Sequence, residues 1–459
     1  MGKTVITADL TFPAVRRALR EGRSARSLVL ESMKRAQAVA DQSVFTSLVP
    51  ESRIAARLDE IEARKADGVP MPLYGTTFSV KDNIHVAGMV TTCNSPAIAI
   101  APEKSARVVQ LLEDAGAVLI GKNTLDQFAT GLNGTRSPEP LCRNAIDPHY
   151  IPGGSSSGSA VAVARDIVSF SLGSDTGGSG RVPGACNGIV GLKPTLGLVS
   201  MSGLVYNSRF FDVVPIFART VAEAMEVLGI LKGYDPEDDY ARLDADSISL
   251  SPVTIAKPRL AVPRKADRTF LGDRDAEQAF DRDLDVLRGL GADITEIDYA
   301  LFREAGQHVF QTAMVTERLD AYEDVMRKTP EVVHPAVRKA IEPGFSYSGL
   351  DAFRALYQVQ AQRRAARRLL VPFDAFVVPT IPTIFTIADM LADPMANNAA
   401  MGTYTYFANP LDLCAISVPG TGRADGMPSA LCFNALAGHD AVIASLATAF
   451  EAASAKTKA

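Results

Sequence analysis

Two short segments dense in glycine and serine, Ile151-Pro-Gly-Gly-Ser-Ser-Ser-Gly-Ser-Ala160 and Gly173-Ser-Asp-Thr-Gly-Gly-Ser-Gly-Arg-Val-Pro183, constrain this chain more than any other feature. Glycine lets a backbone approach a ligand closely and turn its N–H groups inward, as a site for a developing oxyanion requires. Two flexible surface turns would share that composition but not the surroundings. The first segment runs into the apolar Ala160-Val-Ala-Val-Ala164, and the second follows the apolar stretch from Ile167 to Leu172. Both therefore sit at the ends of buried elements.

The rest of the chain supplies an α/β frame. Residues 8–64 read as helical, with Val15, Leu19, Leu28, Val29, Leu30, Met33 and Ala36 at helix spacing and Ser24 as an N-cap. From Pro70 to Pro215 short β-rich runs such as Thr77-Phe-Ser-Val80 and Ala117-Val-Leu-Ile120 alternate with Gly, Ser, Thr and Asn. Arg107 to Ala115 reads as an amphipathic helix that Gly116 ends before a buried strand, the helix–strand alternation of a sheet with helices on its faces. Residues 220–375 carry more charge and longer helical patterns, with Pro-containing strands at Leu260 and at Phe373 to Pro379, and a last helix spans Asp440 to Ala455. With no repeat at solenoid spacing and no low-complexity linker, one continuous domain over 1–459 is expected: N-terminal helices 8–64, a core at 70–220, a helical region 235–375 and a return to the core at 376–459.

Composition narrows the function classes. The 459 residues are 47% hydrophobic and 22% charged, which excludes disordered, collagen-like and coiled-coil chains. A net charge of −5 gives no overall basic field for nucleic acid or an anionic membrane. The five cysteines contain no C-x-x-C pair, which suits reduced thiols in a cytoplasmic protein, and no metal or organic cofactor is implied. No stretch is long and apolar enough for a membrane span, the N-terminus lacks a leader pattern, and Ile6 stands where a myristoylation signal wants Ser or Thr.

Two motifs are decoys. Gly116-Ala-Val-Leu-Ile-Gly-Lys122 matches a phosphate loop as far as the lysine, but Asn123 replaces the magnesium-binding Ser or Thr and the intervening residues form a strand. Gly154-Ser-Ser-Ser-Gly158 matches a G-x-S-x-G elbow without the buried strand that should precede it, and His439 is an unremarkable triad partner. With no histidine well placed, a serine nucleophile needs another base, and a lysine kept neutral by burial can serve. Lys81, at the end of the strand-like run Tyr74 to Val80 and before Asp82-Asn-Ile84, is the candidate.

Val80-Lys-Asp-Asn-Ile84, Pro152-Gly-Gly-Ser-Ser-Ser-Gly-Ser159, Asp175-Thr-Gly-Gly-Ser-Gly-Arg-Val-Pro183 and Gly188-Ile-Val-Gly-Leu-Lys-Pro-Thr195 together resemble the amidase signature family. The resemblance is densest over residues 70–220, with weaker echoes at Tyr404 to Pro419 and Arg423 to Asp440. It implies an α/β fold with a central mixed β-sheet flanked by helices on both faces, and a Ser-cisSer-Lys triad. In that triad Ser179 is the nucleophile, Ser155 the bridging serine on a cis peptide and Lys81 the base. It further implies an oxyanion hole from the backbone N–H groups of Thr176, Gly177, Gly178 and Ser179, with Asp175 and Arg181 pairing to fix the loop.

Within the family the text is closest to the allophanate hydrolase branch, through Asp126-Gln-Phe-Ala-Thr-Gly131, Gly134-Thr-Arg-Ser137 and Gly402-Thr-Tyr-Thr405. Substrate contacts are expected from Gly131, Tyr206, Arg209 and Phe210. Arg209 reads either as a clamp on a substrate carboxylate or as a gate beside an aromatic pocket. The aromatic segment Tyr206 to Phe211 favours aryl or alkyl amides and carbamates, the substrates of urethane-cleaving members, over allophanate. The amidase subunit of a glutamyl-tRNA amidotransferase is a further alternative, and a non-catalytic binding protein is disfavoured by the intact triad. The expected partner is a small amide or carbamate substrate, with no nucleic acid and no membrane, on a monomer or homodimer.

Overall fold

The structure, a computed structural model, describes residues 9–457; the start of the chain, read above for leader and acylation signals, lies outside the described residues. Among the described residues eleven strands form one mixed sheet. In chain order they are β1 (Phe45–Leu48), β2 (Thr77–Lys81), β3 (Val118–Asn123), β4 (Phe170–Leu172), β5 (Val190–Lys193), β6 (Ile216–Ala218), β7 (Arg259–Pro263), β8 (Asp293–Ile297), β9 (Ala375–Pro379), β10 (Leu413–Pro419) and β11 (Ala430–Leu436). Their spatial order is β1-β3-β2-β4-β6-β5-β10-β11-β9-β7-β8. Every residue of β2 to β6 is buried, so helices and loops cover both faces there.

Local sequence accounts for much of this. Ser24 accepts from Ser27 N at 3.1 Å and caps the helix Ala25–Gln37, whose Leu28, Val29, Met33 and Ala36 are buried. The helix Arg107–Asp114 ends before Gly116, whose φ of +93° turns the chain into β3 and whose position leaves no room for a side chain against Met71. The region 8–64 is not helical throughout. Phe45–Leu48 forms β1, a half-buried edge strand antiparallel to β3, and tertiary pairing rather than local pattern makes it a strand. The strands of the 235–375 region, β7 and β8, lie at the far edge of the same sheet, joined to it through β9.

The parallel pair β2 and β4 positions the chemistry. Val80 lies opposite Leu172, so the chain leaving β2 at Lys81 and the chain leaving β4 at Gly173 emerge side by side at the carboxyl ends of parallel strands. Such ends are where α/β sheets place their ligands.

Candidate active site

Lys81 is fully enclosed. Its Nζ donates to Ser155 Oγ at 2.7 Å, to Ser174 Oγ at 2.8 Å and to Ser174 O at 3.4 Å. Burial pulls the proton affinity of this amine down to about 7, against the opposing pull of Asp212, Asp126 and Asp175. Ser155 follows a cis Gly154–Ser155 peptide and is separated by the N-cap residue Ser156 from the helix Ser157–Ala164. Glycine is required at 154 because a Cβ there would stand 2.1 Å from Asp126 Oδ2. Asp126 in turn accepts from the N–H groups of Asn133, Gly134 and Arg136, and its own N–H donates to Ser155 O. Gly131 lies in this loop, against Asp126 and Arg136.

Ser179 sits between β4 and the helix Val182–Asn187 and is 4% exposed, whereas Ser155 is wholly buried. The loop carrying it is held by the Arg181 guanidinium, which grips Asp175 with Nε at 3.0 Å and Nη2 at 3.1 Å, both side chains having no exposure. Arg181 also donates to Thr405 O and Asn409 Oδ1. Among the described residues the N–H groups of Thr176, Gly177 and Ser179 find no acceptor, as an anion-binding loop needs. The expectation of a fourth donor is corrected. The Gly178 N–H donates to Asp175 Oδ1 at 2.6 Å and is occupied in holding the loop. Gly178 has a φ of +139°, and a Cβ there would meet Thr405 Oγ1 at 2.3 Å, so only glycine fits.

A cavity of about 450 Å³ abuts this loop: the Cβ position of Gly177 is 2.9 Å from Tyr406 Cδ1, and Tyr406 lines the cavity with Arg136, Phe302, Phe310 and Met395. Phe310 meets Tyr406 edge to face at 5.6 Å, and the Arg318 guanidinium lies 4.5 Å over the Phe310 ring. Arg318 is 1% exposed; its Nη1 donates to Val309 O, and among the described residues Nε and Nη2 find no hydrogen-bond acceptor. Asp212, buried beneath, accepts from the N–H groups of Asn207 and Ser208, and burial raises its carboxyl against hydrogen bonds from Thr176 and these backbone groups.

Tyr206, Arg209 and Phe210 stand elsewhere. Tyr206 and Arg209 line a separate outer cleft of about 220 Å³ with Asp238 and Tyr240. Arg209 is engaged by Asp320 at 2.9 Å and stacks 4.2 Å over the Tyr206 ring, while Tyr206 Oη donates to the same Asp320. Phe210, 39% exposed, packs edge-on against Tyr240, and Phe211 is core. The aromatic run thus splits between surface and core and does not line the cavity beside the Ser179 loop. Of the decoys, Lys122 is spent on a buried ion pair with Asp82 at 2.6 Å, and His439 lies exposed near the end of β11. Ser174, Asp212, Arg318 and Tyr406 were not anticipated as site residues.

The amidase family model matches residues 27–443. The chain belongs to the amidase family. It is 37% identical over 411 residues to urea amidolyase of Saccharomyces cerevisiae, covering 88% of this chain but only 22% of that much longer protein. It is 32% identical over 484 residues to a subunit of glutamyl-tRNA(Gln) amidotransferase from Deinococcus deserti, with 97% of each chain covered. Among solved structures it resembles allophanate hydrolase of Kluyveromyces lactis, with a TM-score of 0.85 and 31% identity over 94% of this chain and 72% of that one. Homologues in the amidase family are amidohydrolases acting on C–N bonds. No helix among the described residues is long and apolar enough to cross a membrane.

Proposed function

We propose that this amidase cleaves the C–N bond of a small carboxylate-bearing amide of the allophanate type through an acyl-enzyme on Ser179. The observation that carries the hydrolytic reading is the enclosed Lys81 amine in contact with Ser155, its proton affinity brought to about 7. Neutral Lys81 takes the Ser155 hydroxyl proton as Ser155 takes that of Ser179, and Ser179 Oγ attacks the substrate carbonyl. The N–H groups of Thr176, Gly177 and Ser179 receive the oxyanion. Collapse returns the proton through Ser155 to the leaving nitrogen, and water then releases the acyl group from Ser179 by the same route.

The carboxylate preference rests on Arg318, a buried guanidinium with two unpartnered nitrogens beside rings that line the cavity. Such a group is stabilised by a bidentate anion. The fold likeness to an allophanate hydrolase supports the same reading. A second reading, a broad amide and carbamate (urethane) hydrolase taking aryl or alkyl groups, is favoured by the apolar cavity residues Phe302, Phe310, Pro343 and Met395. Glutamine is a third substrate to try, because the likeness to one of the amidotransferase subunits spans 97% of both chains. Five buried free thiols suit work in a reducing cytoplasm.

The test is ammonia or amine release from allophanate, glutamine, an aryl carbamate and an anilide by the wild type, Ser179→Ala and Arg318→Met. Allophanate turnover above the others, abolished in Ser179→Ala and raised in KM by Arg318→Met, is the expected result. Faster cleavage of the aryl carbamate or anilide overturns the carboxylate preference and selects the second reading.

A further inference from the structure

The helix Gly349–Leu370 has one face in the protein and one face bare. Ala355, Val359, Ala366 and Leu370 are buried, while Leu350 is 58% exposed, Phe353 58%, Tyr357 68% and Val371, which continues the helical backbone, 62%. At about 100° per residue, Leu350, Phe353, Tyr357, Arg364, Arg368 and Val371 fall within a stripe about 60° wide. Gln360 and Ala361 flank its midpoint, and all of these side chains face solvent. The helix has one acidic residue, Asp351, and it lies off the stripe. Three large apolar side chains in a row, followed by two unopposed arginines, are not what a solvated helix face ordinarily carries.

We propose that this face is the docking surface for a second copy of the chain, the two helices antiparallel about a two-fold axis between positions 360 and 361. That operation sets Phe353 opposite Arg368, Tyr357 opposite Arg364 and Leu350 opposite Val371, and by symmetry makes each pairing twice. Every exposed aromatic ring on the stripe then meets a guanidinium, and the end residues meet as apolar pairs. Phe353 and Tyr357 already lie with ring centroids 6.3 Å apart, forming one platform for the two arginines. No other occupant satisfies the whole stripe. An acidic helix would pair the arginines and leave the rings against charge, and an apolar one would bury the arginines without a partner. The register therefore selects self-association by an isologous contact. The helix is about 33 Å long, and a contact made by one helix pair falls short of the roughly 1,600 Å² of a standard interface, so micromolar dissociation is expected.

Sedimentation velocity across a hundredfold concentration range around micromolar tests this with the full chain. The wild type is expected to move from the 48.8 kDa monomer to a species of twice that mass. Phe353→Arg with Tyr357→Arg places cation against cation, and Arg364→Glu with Arg368→Glu removes the cations, so each double variant alone is expected to weaken association more than tenfold. Mixing the two variants restores a dimer, because the new arginines of one copy face the new glutamates of the other while its own arginines face intact rings. All four positions are on the solvent face, and each double variant tests the contact without the other. Unchanged circular dichroism and unchanged turnover of the best substrate confirm that the fold persists. A wild type that stays monomeric throughout overturns the proposal and leaves the face to another partner. So does a dimer indifferent to both variants, or a mixture that fails to associate, which would exclude the antiparallel register.

Discussion

In the proposed mechanism the chemistry turns on Lys81, because its buried amine must be neutral to take a proton. With the folded value lowered from 10.5 to about 7, the reactive fraction grows as pH rises through 7 and levels off above it. The profile of kcat/KM against pH is therefore expected to have an ascending limb with an apparent pKa near 7. Replacing Lys81 by Met should remove that limb and cost on the order of 10²–10⁴ in turnover, the usual worth of a positioned base. A limb unchanged in Lys81→Met would assign it to another group. Gly178 gives a second prediction. Gly178→Ala puts a methyl 2.3 Å from Thr405 Oγ1 on backbone that side chains rarely adopt, so turnover should fall steeply while far-ultraviolet circular dichroism stays native. The same residues mark how far the sequence reaches. Lys81, Ser155 and Ser179 could be singled out as candidates because each sits inside a contiguous motif. The engaged Gly178 N–H was not, because its acceptor is a side-chain oxygen whose direction no spacing rule supplies. Arg318 was invisible for a different reason: it lies on a helix in the region with the weakest family text, and only folding brings it over Phe310.

At the scale of elements, the helix Glu317–Lys328 decides what the segment from Asn207 to Asp212 does. Its first turn accepts the Ser208 hydroxyl and the Arg209 N–H on Glu317, and its Asp320 holds Arg209 and Tyr206. The local sequence around Arg209 offered a carboxylate clamp or a gate, and neither alternative contained the carboxylate that engages it. Elements were more legible than these contacts: the helices at 25–37 and 107–114 and strands β2 and β3 follow from apolar spacing, while β1 escaped because a four-residue edge strand carries no period of its own. Burial raises the Glu317 carboxyl from 4.5 to about 7. A raised folded value means that the group favours the native state most below 4.5 and that this contribution is lost as pH climbs through 7. Urea unfolding of Glu317→Gln, whose amide oxygen can still accept from the Arg209 N–H while its amide N–H donates to the Ser208 hydroxyl oxygen, should therefore show a smaller loss of stability between pH 5 and pH 8 than the wild type. Glu317→Ala should instead speed amide hydrogen exchange across 207–212. Equal pH dependence in wild type and Glu317→Gln would exclude Glu317 as the source.

Across the whole molecule, two distant stretches of the family match meet at one buried cation. Arg181 grips Asp175 in the Ser179 loop and reaches Thr405 O and Asn409 Oδ1, while Asn409 Nδ2 donates back to Asp175 O and to Phe211 O. The Gly-Ser core and the C-terminal return are thus held by a network whose members no local pattern connects. Burial penalises both charges, but the bidentate contact with Arg181 outweighs it at Asp175 and keeps that carboxyl below the ordinary range. Removing one partner strands the other. Arg181→Met leaves an unpaired buried carboxylate and is expected to cost about 3–5 kcal/mol in urea unfolding, as broken buried pairs do. Asp175→Leu combined with Arg181→Met leaves no charge behind and should recover most of that loss, because a buried pair is worth little over apolar groups of similar size. Turnover should stay low in the double variant, since Gly178 and Gly180 lose the carboxylate that holds their N–H groups and the loop beside Ser179 loses its shape. Stability and catalysis would then separate: the pair is kept for the geometry of the loop rather than for the stability of the fold. A double variant as active as the wild type would refute that account.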